Sequence, residues 1–144
     1  MATPSSRTER PVVLYDADCG FCRWSLAKLL AWDRGRRLRP VAIQSSEGER
    51  LLAGLTPDQR LASWHFVSRS GVRRSGGIAV VPLLRELPLG SGPAALLSGF
   101  PEATERAYGW VVRHRGTLGR LLPAGARRRA DIRLERRTNP SGPG

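Results

Sequence analysis

The sequence has few of the residues from which metal and catalytic sites are usually built. Its 144 residues include two cysteines, two histidines and 12 acidic residues. A structural zinc site needs four ligands, and this chain has no second Cys-x-x-Cys pair and no ligand-like spacing between His65 and His114. We therefore expect no metal and no cofactor. A zinc site shared between two chains stays open as an alternative for Cys19 and Cys22.

No hydrophobic run is long enough to cross a bilayer. The most apolar region, residues 78–100, contains Arg85, Glu86 and three prolines, whereas a spanning helix needs about 20 consecutive apolar residues. The first ten residues also lack the apolar stretch of an export signal. These absences predict a cytoplasmic protein with no membrane span.

Lysine is almost absent, and the charge of the chain is strongly basic. Lys28 is the only lysine among 24 basic residues, and the net charge is +12. The excess is concentrated in residues 106–137, where ten arginines stand against Asp131 and Glu135. Such a segment is attracted to nucleic acid, acidic proteins or anionic lipid, but it is more typical of a solvated helical face. We expect no specific nucleic-acid partner.

The length of 144 residues suits one domain with a single core. Residues 1–10 are polar and charged and are predicted to be a disordered N-terminal segment. Residues 11–123 are predicted to form the domain, including a C-terminal helical extension. Residues 124–144 are predicted to be a basic, mostly flexible tail, and we expect a monomer.

Hydrophobic periodicity predicts alternating strands and helices. Strands are predicted over residues 12–15, 38–43, 64–68 and 72–75, and helices over 19–32, 46–54, a short segment from 57, 78–87 and 102–115. The order β-α-β-α-β-β-α predicts an α/β fold with a four-stranded mixed sheet flanked by helices. This is the thioredoxin-like plan, here with extra C-terminal helices.

The run Cys19-Gly20-Phe21-Cys22 directly follows the turn after the first predicted strand. Two cysteines one helical turn apart can close a small disulfide ring, and the free N–H groups of that turn favour a thiolate on Cys19. Arg23 is a candidate cation for the same thiolate. In this interpretation Cys19 attacks a substrate disulfide, and Cys22 resolves the mixed disulfide that forms.

Asp16, at the end of the first predicted strand, is the third candidate catalytic residue. Its carboxylate could accept the proton that Cys22 must lose, although an aspartate at this position is as typical of a turn or cap. Asp18 is predicted to cap the helix. The two cysteines are also compatible with inert core residues, which is the weaker interpretation because both fall in one turn after a strand.

The run from Val12 to Arg23, VVLYDADCGFCR, closely resembles the opening of the DCC family of thiol–disulfide oxidoreductases. The name-giving pattern of that family, Asp-x-x-Cys-x-x-Cys, falls on Asp16, Cys19 and Cys22. Looser similarity extends over residues 11–122. The resemblance implies a thioredoxin-like fold and dithiol exchange with a disulfide-containing protein or a small thiol substrate. An unidentified reductant would then reduce the oxidised cysteine pair again.

Two hypotheses of function follow from these patterns. The first is a thiol–disulfide oxidoreductase, similar to protein-disulfide reductases, that acts through the Cys-x-x-Cys pair. The second is a non-catalytic redox-sensing or binding module whose arginine-rich C-terminal region contacts an acidic partner or nucleic acid. Thioredoxins dock substrate with a cis-proline just before the third strand, and residues 62–64 contain no proline. The missing proline argues against general disulfide-reductase activity more than against a thioredoxin-like fold.

Overall fold

The computed structural model describes residues 9–138. Its strands are β1 (Val12–Tyr15), β2 (Arg39–Ala42), β3 (His65–Val67) and β4 (Arg73–Ser75). Its helices are α1 (Gly20–Trp32), α2 (Ser46–Leu51), α3 (Pro57–Leu61), α4 (Val80–Glu86), α5 (Ser91–Ser98), α6 (Pro101–Leu121) and α7 (Ala124–Thr138). A 3₁₀ turn, Gly76–Ala79, precedes α4. Most of the predicted disordered segment 1–10 lies outside the described residues.

The four strands form one mixed sheet in the order β2-β1-β3-β4. β1 runs parallel to β2, with Val12 opposite Arg39, and antiparallel to β3, with Leu14 opposite His65. β3 and β4 form an antiparallel hairpin. β1 has a neighbouring strand on each side, and all four of its residues are buried because core clusters cover both faces of the sheet. The predicted thioredoxin-like sheet flanked by helices is confirmed.

Alternation of side chains along β1 divides the core between the two faces of the sheet. Val13 and Tyr15 pack on one face in a cluster that includes Leu30 of α1. Val12 and Leu14 pack on the other face in a second cluster, which takes in side chains of β2 and the α2 region. α1 is therefore fixed against the sheet, and its first residue lies beside the carboxyl end of β1.

His65 is a buried structural residue of β3. Its Nε2 donates to the Arg60 carbonyl oxygen at 2.9 Å, and its Nδ1 lies 2.6 Å from Ser75 Oγ, from which it accepts in this tautomer. Burial lowers the pKa of His65. The side chain is therefore held neutral inside the fold, with both ring nitrogens engaged.

The structure differs from the predicted flexible tail over residues 124–138, which form α7. Ala130 and Leu134 are buried in the packing of α7, whose main contact is with α1. Two residues four apart lie on one face of a helix, so a narrow apolar stripe is present although arginines dominate the composition. Near its end, Arg137 forms an ion pair with Asp33 at 2.6 Å. The remainder of the predicted tail, residues 139–144, lies outside the described residues.

The helices after α4 differ in extent from the prediction because proline is tolerated in a first helical turn. The predicted helices leave residues 88–101 without an element, yet α5 begins at Ser91 with Pro93 in its first turn, where an N–H needs no helical partner. α6 begins at Pro101 and runs to Leu121, beyond the predicted 102–115. Its greater length lets α6 extend beside the start of α1.

α6 is the longest helix, with 21 residues, and charged side chains recur along it from Glu102 to Arg120. Within the part of the chain that the structure describes, no helix is both long enough and apolar enough to cross a membrane.

Candidate active site

Cys19 is the N-cap residue of α1, at the end of the turn that follows β1. Its backbone is extended, with φ −99° and ψ 113°, and its Sγ accepts a hydrogen bond from the Cys22 N–H at 3.3 Å. The Cys19 N–H itself donates to the Asp16 carbonyl oxygen at 3.2 Å. The predicted capping role of Asp18 is wrong, because the sulfur of Cys19 occupies the position of the usual oxygen cap. Cys19 Sγ thus lies at the positive end of the helix dipole.

The Asp16 carboxylate organises the turn before the cysteine pair. Its Oδ1 accepts hydrogen bonds from the Asp18 N–H at 2.9 Å and from Gln44 Nε2 at 2.7 Å. Gln44 also accepts from the Ala17 N–H at 3.1 Å, which links the turn to the segment after β2. The structure therefore places all three predicted site residues together and shows the turn function of Asp16. Its function as a proton acceptor stays a prediction.

Cys22 is half-buried behind Cys19, and its thiol is a weak acid. Burial, followed by the hydrogen bond with Cys19 and by the charges of Cys19 and Asp16, raises the pKa of Cys22 to about 12. The charge of Arg115 opposes this rise. At neutral pH Cys22 is therefore a protonated thiol, which is the state expected of a resolving cysteine before a mixed disulfide has formed.

A cavity of about 300 Å³ lies behind Cys22. Its walls come from β1, α1, α6 and the segment before β3, and they are mostly apolar, with Leu26, Trp64 and Val111 among them. Cys22 and Asp16 reach this cavity, whereas Cys19 is not among its lining residues. The two sulfurs therefore have different surroundings.

A family model described as DCC1-like thiol-disulfide oxidoreductase matches residues 13–121, from β1 to the end of α6. This chain belongs to that family. Cys19 and Cys22 fit its Cys-x-x-Cys motif, and the family resemblance inferred from the opening run is confirmed. No curated protein and no solved structure matches the chain.

Tyr108 of α6 is a further residue of the site. The Cys-x-x-Cys motif of this DCC1-like chain gives no indication of it. Its hydroxyl oxygen accepts a hydrogen bond from the Trp64 N–H at 3.0 Å. Burial raises the pKa of Tyr108 to about 12, the bond from Trp64 opposes the rise, and the charge of Cys22 adds to it. Tyr108 therefore stays protonated beside the cavity. The sequence offered one signal for Tyr108, which is its position on the apolar stripe of an otherwise basic helix.

Arg115, also on α6, is the cation whose charge lowers the pKa of Cys22. Its Nη2 donates to the Leu61 carbonyl oxygen at 2.9 Å, so the guanidinium is held at the rim of the cavity. Arg23, the cation expected from the sequence, forms an ion pair with Asp131 of α7 instead. The DCC1-like dithiol is therefore bordered by α6, which follows the predicted thioredoxin-like elements in the chain.

Between residues 9 and 138, no group of three His, Cys, Asp or Glu side chains lies close enough together to hold a metal ion.

Proposed function

We propose that this protein exchanges its Cys19–Cys22 dithiol with a disulfide on a protein or a small molecule. The observation that carries the proposal is the position of Cys19 Sγ at the N-cap of α1, 3.3 Å from the Cys22 backbone nitrogen. Free N–H groups and the dipole of a helix N-terminus favour a thiolate over a thiol. Membership of the DCC1-like family supports the same chemistry.

In the first step the Cys19 thiolate attacks one sulfur of the substrate disulfide. A bond forms between Cys19 Sγ and that sulfur, the substrate S–S bond breaks, and the other substrate sulfur leaves as a thiolate. Cys19 is suited to this step because its Sγ lies at the N-cap of α1, where the free N–H groups favour the thiolate. The product is a mixed disulfide between Cys19 and the substrate.

In the second step Cys22 attacks Cys19 Sγ and releases the second substrate thiolate, which leaves a Cys19–Cys22 disulfide. Cys22 must first lose its proton. In the mixed disulfide, Cys19 no longer carries charge and its sulfur is no longer a thiolate acceptor for the Cys22 thiol, so the two contributions of Cys19 to the raised pKa of Cys22 are removed. Burial and the charge of Asp16 remain. We propose that the Asp16 carboxylate accepts the proton at this point.

The cycle closes when an external dithiol reduces the Cys19–Cys22 disulfide and becomes oxidised itself. We propose that this occurs in the cytoplasm, where glutathione and thioredoxin systems keep thiols reduced. We further propose that the chain acts as a monomer. No specific nucleic-acid partner is required for the exchange.

Cys22→Ser should convert the protein into a trap for its substrate. Without a resolving thiol, the mixed disulfide at Cys19 persists. Purified Cys22→Ser protein incubated with a disulfide-linked peptide dimer should gain the mass of one peptide monomer, as measured by intact mass spectrometry. A reductant should remove this adduct.

Cys19→Ser is the matched control, since it also removes one sulfur and leaves the other. We expect no stable adduct on that variant, because Cys22 is protonated at neutral pH. Equal adduct formation on both variants, or none on Cys22→Ser, would be incompatible with the proposed exchange.

Asp16→Asn distinguishes proton transfer to Asp16 from a purely electrostatic effect of its charge. The two explanations predict opposite changes in the rate of resolution. The charge of Asp16 raises the pKa of Cys22, so its removal alone would increase the thiolate fraction and speed resolution. If Asp16 accepts the proton, its removal should instead slow resolution at pH 7 by roughly 10²-fold, the lower end of general-base contributions. Stopped-flow measurement of thiol release from the preformed mixed disulfide gives this rate.

The pH dependence provides the second readout for Asp16. Without a base, resolution should rise about tenfold per pH unit while Cys22 stays below its pKa. We expect this steep profile in Asp16→Asn and a flatter one in the wild type near pH 7. Gln44→Ala, which removes the neighbouring hydrogen bonds without adding charge and keeps Asp16, serves as the control for disturbance of the turn. Faster resolution in Asp16→Asn would contradict the proposal.

A further inference from the structure

A second concave site lies between the end of α1, the loop after it and α7. Its volume is about 440 Å³. We call it the arginine groove, because six of the residues that line it are Arg34, Arg36, Arg129, Arg133, Arg136 and Arg137. α7 supplies four of these six, and α7 follows the residues 13–121 that match the DCC1-like family.

Asp33 is the one carboxylate among the residues that line the arginine groove, and both of its oxygens already accept hydrogen bonds. Its oxygens accept from Arg137 Nη2 at 2.6 Å, from the Arg37 N–H at 3.0 Å and from the Leu38 N–H at 2.9 Å. Arg137 is thereby neutralised.

The other five guanidinium groups of the groove form no ion pair with any side chain in residues 9–138. Six arginines against one aspartate leave five unbalanced positive charges around one cavity. Like charges held this close repel one another, and an anion bound among them would relieve that repulsion.

The chemistry of the groove favours phosphate over carboxylate. Guanidinium groups present planar pairs of N–H donors that bind phosphate oxygens in a bidentate manner. A phosphate monoester carries a charge of about −1.5 to −2 at pH 7, so two adjacent phosphates would balance most, and three about all, of the charge of five arginines. Carboxylates would need five separate groups within the same space.

The size of the groove favours a small ligand over a polymer. Small-molecule sites occupy about 300–1,000 Å³, and the arginine groove falls in that range. A nucleic-acid strand carries one charge per phosphate, so it brings fewer negative charges into the same volume. We propose that the arginine groove binds a small ligand that carries two or three adjacent phosphate groups.

Binding of inorganic tripolyphosphate to the full chain tests this proposal by calorimetry. We expect binding to the wild type that weakens steeply as salt is raised, because the contacts are between charges. The double variant Arg133→Gln and Arg136→Gln should bind about tenfold more weakly or worse. Both residues are exposed, so the fold should persist, and an unchanged circular dichroism spectrum verifies this.

The matched control is Arg74→Gln with Arg106→Gln, which removes the same charge from exposed positions outside the arginine groove. Less than a twofold change in the control supports a defined site, whereas equal weakening in both double variants would show unspecific charge attraction and overturn it. Equal affinity for monophosphate or polyglutamate at matched charge would overturn the oligophosphate class. Tighter binding of a single-stranded oligonucleotide would overturn the choice of a small ligand.

Discussion

Replacing Cys19 with serine should lower the turnover of a disulfide substrate at pH 7 by up to about 100-fold. Cys22 substitutes poorly, because burial, the largest cause of its raised pKa, remains in this variant, although the contributions of Cys19 to that pKa are lost. In the intact dithiol, where the pKa of Cys22 is about 12, about one in 10⁵ Cys22 thiols is ionised at pH 7, against about 3% of an ordinary thiol with a pKa near 8.5. The greater nucleophilicity of a high-pKa thiolate recovers about 40-fold of that roughly 3,000-fold deficit, so about 100-fold is the upper limit of the loss.

The measurement is the rate of thiol release from a fluorogenic disulfide peptide, with dithiothreitol as reductant. Cys22→Ser provides the comparison that assigns the two sulfurs. In the absence of reductant, it should release one thiol equivalent per chain in its first reaction and then stop, and Cys19→Ser should show no such release. The reverse pattern would exchange the functions assigned to Cys19 and Cys22.

Replacing Asp33 with alanine should lower the free energy of unfolding by about 3–5 kcal/mol, the usual cost of breaking a buried ion pair from one side. The side chains of Arg137 and Asp33 are 7% and 0% exposed, so water cannot replace the lost carboxylate. The Arg37 and Leu38 N–H groups also lose their acceptors. Urea denaturation followed by circular dichroism measures the change.

Two control variants sharpen the Asp33 experiment. Asp33→Asn keeps an acceptor oxygen and loses the charge, so its destabilisation should be smaller than that of the alanine variant. Asp58→Ala removes an exposed aspartate of α3 and should change stability by about 0.5 kcal/mol or less. A change below about 1 kcal/mol in Asp33→Ala would mean that the ion pair does not anchor α7.

The central sheet and the dithiol could be predicted from the sequence because their signals are local. The β-rich run of β1, the turn after it and the two cysteines one helical turn apart all fall within residues 12–22. The family match over residues 13–121 confirms the resemblance that this short run carries. Strand and helix order through α4 follows from the same kind of short-range pattern.

The environment of the dithiol could not be predicted, because it depends on contacts between residues distant in sequence. Tyr108 accepts from the N–H of Trp64, 44 positions earlier in the chain. Arg115 acts on the pKa of Cys22 from a helix that packs beside α1. The hydrophobic periodicity of α6 does not indicate which residues elsewhere in the chain Tyr108 and Arg115 will meet.

The sequence by itself determined the family of this protein and the position of its Cys-x-x-Cys pair, because both are carried by a short local run at a strand–helix junction. The tertiary structure alone decided what surrounds that pair and what α7 does. A segment with the composition of a flexible tail forms a helix that packs on α1 through Ala130 and Leu134. Its Arg137 pairs with Asp33 across 104 positions, and its arginines line the arginine groove. The physical reason is that burial and charge balance depend on which side chains meet in space, whereas composition and periodicity report only neighbours along the chain.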